Sequence, residues 1–186
     1  MKKIIILPVF LFVSSICLQA QIESTKNKEA TEWLQLTDTT YKFTISYPAQ
    51  WTLKLPNTNT RFFFTSPVTS ESDKFRENVN GITRKIEEKG FTILMATDNI
   101  KESLAKKLQN FKLINATESK WFGADMLELE YSGTNETDGI KYNVHFLQRM
   151  AVINGTLITL TYTAEDLQYE NYLTIVRKIF DSFQFK

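Results

Sequence analysis

The sequence predicts an α+β fold in which a central antiparallel sheet is sandwiched between helices. Three observations predict it. Residues 140–163 hold two apolar runs around Asn154-Gly155, a pair that type I′ hairpin turns favour because both central residues need positive φ. Both faces of that hairpin are apolar. Two amphipathic stretches, 92–109 and 166–181, can supply the covers.

The hairpin register follows from the turn. With Asn154 and Gly155 as the loop, Ile153 pairs with Thr156, Ala151 with Ile158, Arg149 with Leu160 and Leu147 with Tyr162. Side chains alternate faces along a strand. One face then carries Tyr142, Val144, Phe146, Met150, Val152 and Leu157, and the other Leu147, Ala151, Ile153, Ile158, Leu160 and Tyr162. A strand open to water on one side would be apolar on one face only, so this pair expects cover on both.

The chain begins with Lys2 and Lys3. An apolar run over 4–13, broken only by Pro8, and small or polar residues to Ala20 follow. This is the pattern of a secretory signal peptide over 1–20. The run is shorter than the ~20 apolar residues of a membrane-spanning helix, so no integral span is expected after its removal. A lipoprotein reading would make Cys17 the lipid-bearing residue, but Ile16 is bulky where such sites want a small residue. Cleavage after Ala20 removes the single cysteine, and with it disulfide and thiolate chemistry. A domain of this length buries enough core without cross-links. Loss of Lys2 and Lys3 takes the 22 basic residues to 20, against 21 acidic ones. That balance argues against nucleic-acid or anionic-membrane binding driven by net charge. Residues 21–32 read as a flexible polar lead-in and 33–186 as one domain, exported to the periplasm or secreted.

Within that domain, Trp33, Leu34 and Leu36 open a first sheet segment, and 37–40 is turn-like. Tyr41, Phe43, Ile45 and Tyr47 alternate with Lys42, Thr44 and Ser46 until Pro48 stops the strand. Trp51, Leu53 and Leu55 alternate again; 56–60 is a loop and 61–66 a short aromatic strand. Residues 78–87 read as a strand weakened by Gly81, with a turn at Lys89-Gly90. Met95 or Ala96, Ile100, Leu104 and Leu108 recur at steps of four, a helix over 92–109; Thr97 or Asp98 as N-cap would start it later. Strands over 111–119 and 121–131 precede a polar loop at 132–139. The last helix, 166–181, presents Tyr169, Tyr172, Leu173, Val176, Ile179 and Phe180, with Phe183 beyond.

The runs YKFTISYPAQW, FFFTSP and SDKFRENVNGI, the helix near 92–109, Gly123 before a strand and the terminal Ser182-Phe183 resemble the PsbP-like family over 41–183. That family includes the extrinsic PsbP subunit of photosystem II. It shares its fold with a yeast Ran-binding nuclear-transport protein (the Mog-type fold) and with many exported bacterial proteins of unknown role. The resemblance implies an α/β/α sandwich. The matched residues are mostly apolar or turn-forming, so it implies a fold and carries little about activity.

Chemistry is sparse. His145 is the single histidine, so any histidine-based triad or metal site must use it. Phosphate-binding glycine loops, HExxH, GxSxG and EF-hand spacings are absent from the sequence. The run 135–138, NETD, offers three oxygen ligands without the glycine and closing glutamate of a calcium loop, and reads as a solvated hairpin tip. If the 132–139 loop pairs Tyr131 with Ile140, then Glu128, Glu130, Lys141, Asn143, His145 and Arg149 share a face. Glu130 then opposes Lys141, and Glu128 lies diagonal to His145. A carboxylate beside a histidine could serve acid–base work, with Arg149 holding an anion. Cross-strand charge pairing is the plainer account, and a basic helix residue such as Lys106 or Arg177 nearby would favour it. Tyr47, Trp51, Phe62, Phe63 and Phe64 are either core or a ligand platform. Asp73, Lys74, Arg76 and Glu77 read as an exposed charged turn. Asn-x-Thr sites at Asn115, Asn135 and Asn154 matter only in a host that glycosylates asparagine. The expectation is a non-enzymatic exported binding or accessory protein, without cofactor or metal, partnered by another envelope protein. The alternative is a hydrolase using His145 with Glu128.

Overall fold

The computed structural model describes residues 32–56, 59–71, 73–137 and 139–185. The expected signal peptide, Cys17 and nearly all of the lead-in lie outside them. The described elements are β1 (Trp33–Asp38), β2 (Phe43–Pro48), β3 (Thr52–Lys54), β4 (Thr60–Thr65), β5 (Asn78–Lys85), α1 (Thr97–Lys107), β6 (Gln109–Trp121), β7 (Ala124–Thr137), β8 (Ile140–Ile153), β9 (Thr156–Glu165), α2 (Tyr169–Asp181) and β10 (Gln184–Phe185). Seven strands form one sheet in the order β3-β4-β5-β9-β8-β7-β6, and β1-β2-β10 form a second. Every pairing is antiparallel. The fold is α+β, with helices on both faces of the large sheet.

The Asn154-Gly155 turn forms with φ of 51° and 71°, and β8 and β9 pair in the expected register. Both faces are covered. Leu147, Ala151, Ile153, Ile158, Leu160 and Tyr162 pack with Ile175, Val176, Ile179 and Phe180 of α2, and with Phe43, Ile45 and Tyr47 of β2. The small sheet therefore joins α2 as cover on this side, an arrangement the strand patterns alone do not reveal. Ser182 ties the two together: its Oγ accepts from the Ser46 N–H at 2.8 Å and donates to the Ile179 carbonyl at 2.7 Å. Ile175, absent from the expected stripe, is buried in α2.

The opposite face is covered more lightly. Ile93, Leu127, Leu129, Tyr131 and Met150 form a second core against Ile100 and Leu104, yet α1 buries none of its residues fully. The helix starts at the later of the two expected positions. Residues Ile93–Ala96 form a 3-10 turn and Ala96 is the N-cap, without a side-chain capping bond. Thr97 is thus not the cap, and its hydroxyl is buried without a partner.

Tyr47, Trp51, Phe62 and Phe64 are core residues, not a ligand platform: their exposures are 7%, 4%, 1% and 0%. Tyr47 stacks on Phe64 at 4.3 Å, and Phe64 on Phe62 at 4.5 Å. Phe62 stands opposite Gly81, and its ring lies where a Cβ on Gly81 would be. Gly81 therefore does not weaken β5 but admits the ring. Gly81→Ala should destabilise the protein by about 2 kcal/mol through overpacking, read as a lower urea midpoint; an unchanged midpoint would show that the ring moves aside freely.

Candidate functional site: a paired polar network beside an aromatic groove

The β7–β8 hairpin sets the site. Thr137 pairs with Ile140, so residues 132–137 are strand and the connection between the strands is short, with Gly139 at φ 77°. Asp-Gly is itself a favoured I′ pair. The strands slide six residues from the expected register, since Thr137 rather than Tyr131 meets Ile140. An even slide keeps every side chain on its face and changes every partner. Glu128 opposes Arg149, Glu130 opposes Leu147, and Lys141 opposes Glu136.

The expected Glu128–His145 pair is not formed. Glu128 Oε2 accepts from Arg149 Nε at 2.8 Å, and its Oε1 lies 3.3 Å from Arg177 Nη1. Arg149 Nη1 also donates to Asp181 Oδ1 at 2.9 Å. The Arg149 and Glu128 side chains are only 11% and 14% exposed. The Arg149 guanidinium lies 5.7 Å from the Trp121 ring centre and 5.4 Å from that of Phe180. Arg177 is thus the helix cation that cross-strand pairing anticipated, whereas Lys106 pairs with Glu102 on the exposed side of α1.

His145 faces two other carboxylates. Nε2 is 3.1 Å from Glu130 Oε1 and Nδ1 is 3.2 Å from Asp166 Oδ1. Its ring stacks on Tyr169 at 3.6 Å and 8°. The Tyr169 hydroxyl is buried without a partner, and burial, helped by the charge of Glu130, lifts it above the usual phenol range. Ser132 stands opposite His145 in the register. A Ser-His-acid arrangement needs one imidazole nitrogen on the hydroxyl and the other on the acid, and here both nitrogens face carboxylates. Among the described residues no group of three or more Asp, Glu, His or Cys is placed to hold a metal.

Beside this network lies an open depression of ≈ 440 Å³, lined in part by Trp121, Phe122, Met126, Arg149, Asp181 and Phe183. Trp121 pairs with Ala124, so Phe122-Gly123 is a two-residue turn, with φ of 50° and 78°. A bulky side chain in the left-handed region costs ~1–2 kcal/mol, yet Phe122 occupies it and stays 45% exposed. Trp121 and Phe183 lie 5.5 and 6.3 Å from its ring. Sequence reasoning singled out Gly123 and passed over Phe122. The available signal was a phenylalanine at a turn position that asparagine or aspartate usually fills.

The run 73–77 is not an exposed charged turn throughout. Glu77 is 2% exposed. It continues the β4–β5 pairing, with the Ser66 N–H donating to its carbonyl at 2.8 Å and the Ser66 hydroxyl to Oε2 at 3.2 Å. The Arg76 guanidinium donates to the Ser66 carbonyl. Burial lifts the Glu77 carboxyl above the ordinary 4.5, and the charges of Asp73 and Glu165 add to the lift. A carboxyl raised on folding supports the fold most below its unfolded value and loses that contribution as pH rises through the folded value. Glu77→Gln should therefore be more stable than the parent at pH ~7 in urea unfolding, with the advantage fading as pH falls through the raised folded value and gone below the ordinary one. An advantage independent of pH would contradict this.

The described residues thus form an α+β fold in which Glu128, Arg149, Arg177 and Asp181 pair with one another beside a depression lined in part by aromatic residues. The chain belongs to the PsbP family, whose model matches residues 31–185. Similar solved structures include the following three. Cyanobacterial PsbP (CyanoP) from Synechocystis sp. PCC 6803 has a TM-score of 0.62 at 18% identity, covering 83% of this chain and 92% of that one. PA94 from Pseudomonas aeruginosa, a protein of unknown function, has a TM-score of 0.58 at 11% identity, covering 81% and 95%. LpqN of Mycobacterium tuberculosis, involved in cell envelope biogenesis, has a TM-score of 0.57 at 13% identity, covering 82% and 90%. At these identities the likeness is one of fold. No curated protein matches the sequence.

Proposed function

We propose that this is an exported, non-enzymatic accessory protein that binds another envelope protein through the groove at Trp121 and Phe122. One observation carries the reading: a half-exposed phenylalanine held in a strained backbone conformation at the lip of an aromatic groove. Strain of this kind persists where it serves a site, and aromatic residues dominate binding energy at interfaces. Export is supported by Lys2-Lys3, the apolar run over 4–13 and Ala20; cleavage there would leave 33–186 as a single domain after a short lead-in. Among the described residues, no helix is long and apolar enough to cross a membrane. LpqN's involvement in cell envelope biogenesis gives the setting this reading would share.

The hydrolase reading has less support. It needs His145 to work with Glu128, which pairs with two arginines instead, and it needs an imidazole nitrogen that does not already face a carboxylate.

Phe122→Asn separates fold from function. Asparagine accepts the left-handed turn position more readily, so the variant should be more stable by about 1 kcal/mol. It should also capture at least about tenfold less partner from envelope extract than the parent, quantified by mass spectrometry on tagged baits. Equal capture by variant and parent would contradict the reading.

A further inference from the structure

We propose that His145 is a proton-operated latch between the sheet and the turn that leads into α2, independent of the binding groove. The 3-10 turn Asp166–Gln168 joins β9 to α2. Asp166 on that turn and Glu130 on β7 approach the two ring nitrogens, at 3.2 and 3.1 Å. A neutral imidazole has one N–H, whereas the imidazolium has two. Protonated, His145 donates to both carboxylates and ties the turn to β7. Deprotonated, it keeps one donor, and the other nitrogen turns a lone pair toward a carboxylate oxygen at hydrogen-bond distance. One contact must then open.

The structure decides which contact opens. Glu130 is 24% exposed and sits inside a fully paired strand. Asp166 is 54% exposed, and its turn begins at Glu165, which supplies no side-chain cap. The next residue, Leu167, is 87% exposed, so little apolar contact holds the turn down. Tyr169, stacked on the imidazole, restricts the ring from turning away. The release therefore falls on Asp166.

Glu130 faces the ring from β7, Asp166 from the turn and Tyr169 from α2; Ser132 and Ala164 flank it in the register and carry no charge. Glu165 ends β9 alongside, and Glu128, Arg149 and Arg177 form the neighbouring ion group. Asp166 also lines a polar notch of ≈ 180 Å³ with Asn110, Ser132, Thr134 and Asn143. Release of the turn opens that notch, which is the functional consequence of the latch.

Because His145 is the single histidine, its titration can be followed without ambiguity by NMR on the full domain. The amides of Leu167 and Gln168 should respond with the same midpoint as the imidazole, their hydrogen exchange (corrected for intrinsic pH dependence) rising roughly fivefold above it, as expected for loss of one hydrogen bond. Asp166→Asn, an exposed and fold-neutral change, should abolish that amide response while the imidazole still titrates. His145→Gln should abolish it altogether. Amides at 167 and 168 that ignore the imidazole's midpoint, or that keep their response in either variant, would overturn the proposal.

Discussion

The register of β8 against its two neighbours is the constraint on which the rest of this structure depends. Short connections fix it on both sides, one with Gly139 toward β7 and Asn154-Gly155 toward β9. Each turn demands positive φ, and each supplies a glycine to meet it. Once both are set, the apolar residues of β8 are divided between the two cores, and Arg149 is placed against Glu128. A one-residue slip at either turn would move the whole apolar set to the wrong face.

Packing on two faces leaves few places for polar groups, and the molecule fills those places with pairs. On the α2 side the helix packs on the β8–β9 core, and the ion group of Glu128, Arg149, Arg177 and Asp181 lies beside it. On the other side α1 covers β7 and β8 only partly. The sheet then ends in β6, a 13-residue edge strand that is almost wholly exposed. Long open edges invite pairing with other chains. This one is interrupted by two register shifts, between Gln109 and Lys112 and between Leu113 and Asn115, and it carries Lys112 and Lys120. Bulges and lysines of this kind blunt an edge.

What was legible in the sequence was whatever depends on local chemistry. The Asn154-Gly155 hairpin, the strand alternation from Tyr41 to Tyr47, the two helices and the two-sided cover all follow from turn preference and periodicity. The misses are non-local. The run at 132–139 is polar, and polarity reads as loop although Asp-Gly is a favoured turn pair in the sequence; residues 132–137 are strand all the same. Glu77 sits in a charged run, and only the continuation of β4 against β5 pulls its carboxyl inside. Gly81 looks like a weakness until Phe62 is placed over it. The candidate site was half legible: the residues sharing a face were right, because the slide is even, and their partners were wrong.

The β7–β8 register can be tested by coupling energies. A double-mutant cycle with Glu128→Gln and Arg149→Met should give a coupling of ~1–3 kcal/mol, while a cycle with Glu128→Gln and His145→Gln should give less than ~0.5 kcal/mol. The reverse pattern, with Glu128 coupled to His145 and indifferent to Arg149, would place Tyr131 opposite Ile140 and contradict the account.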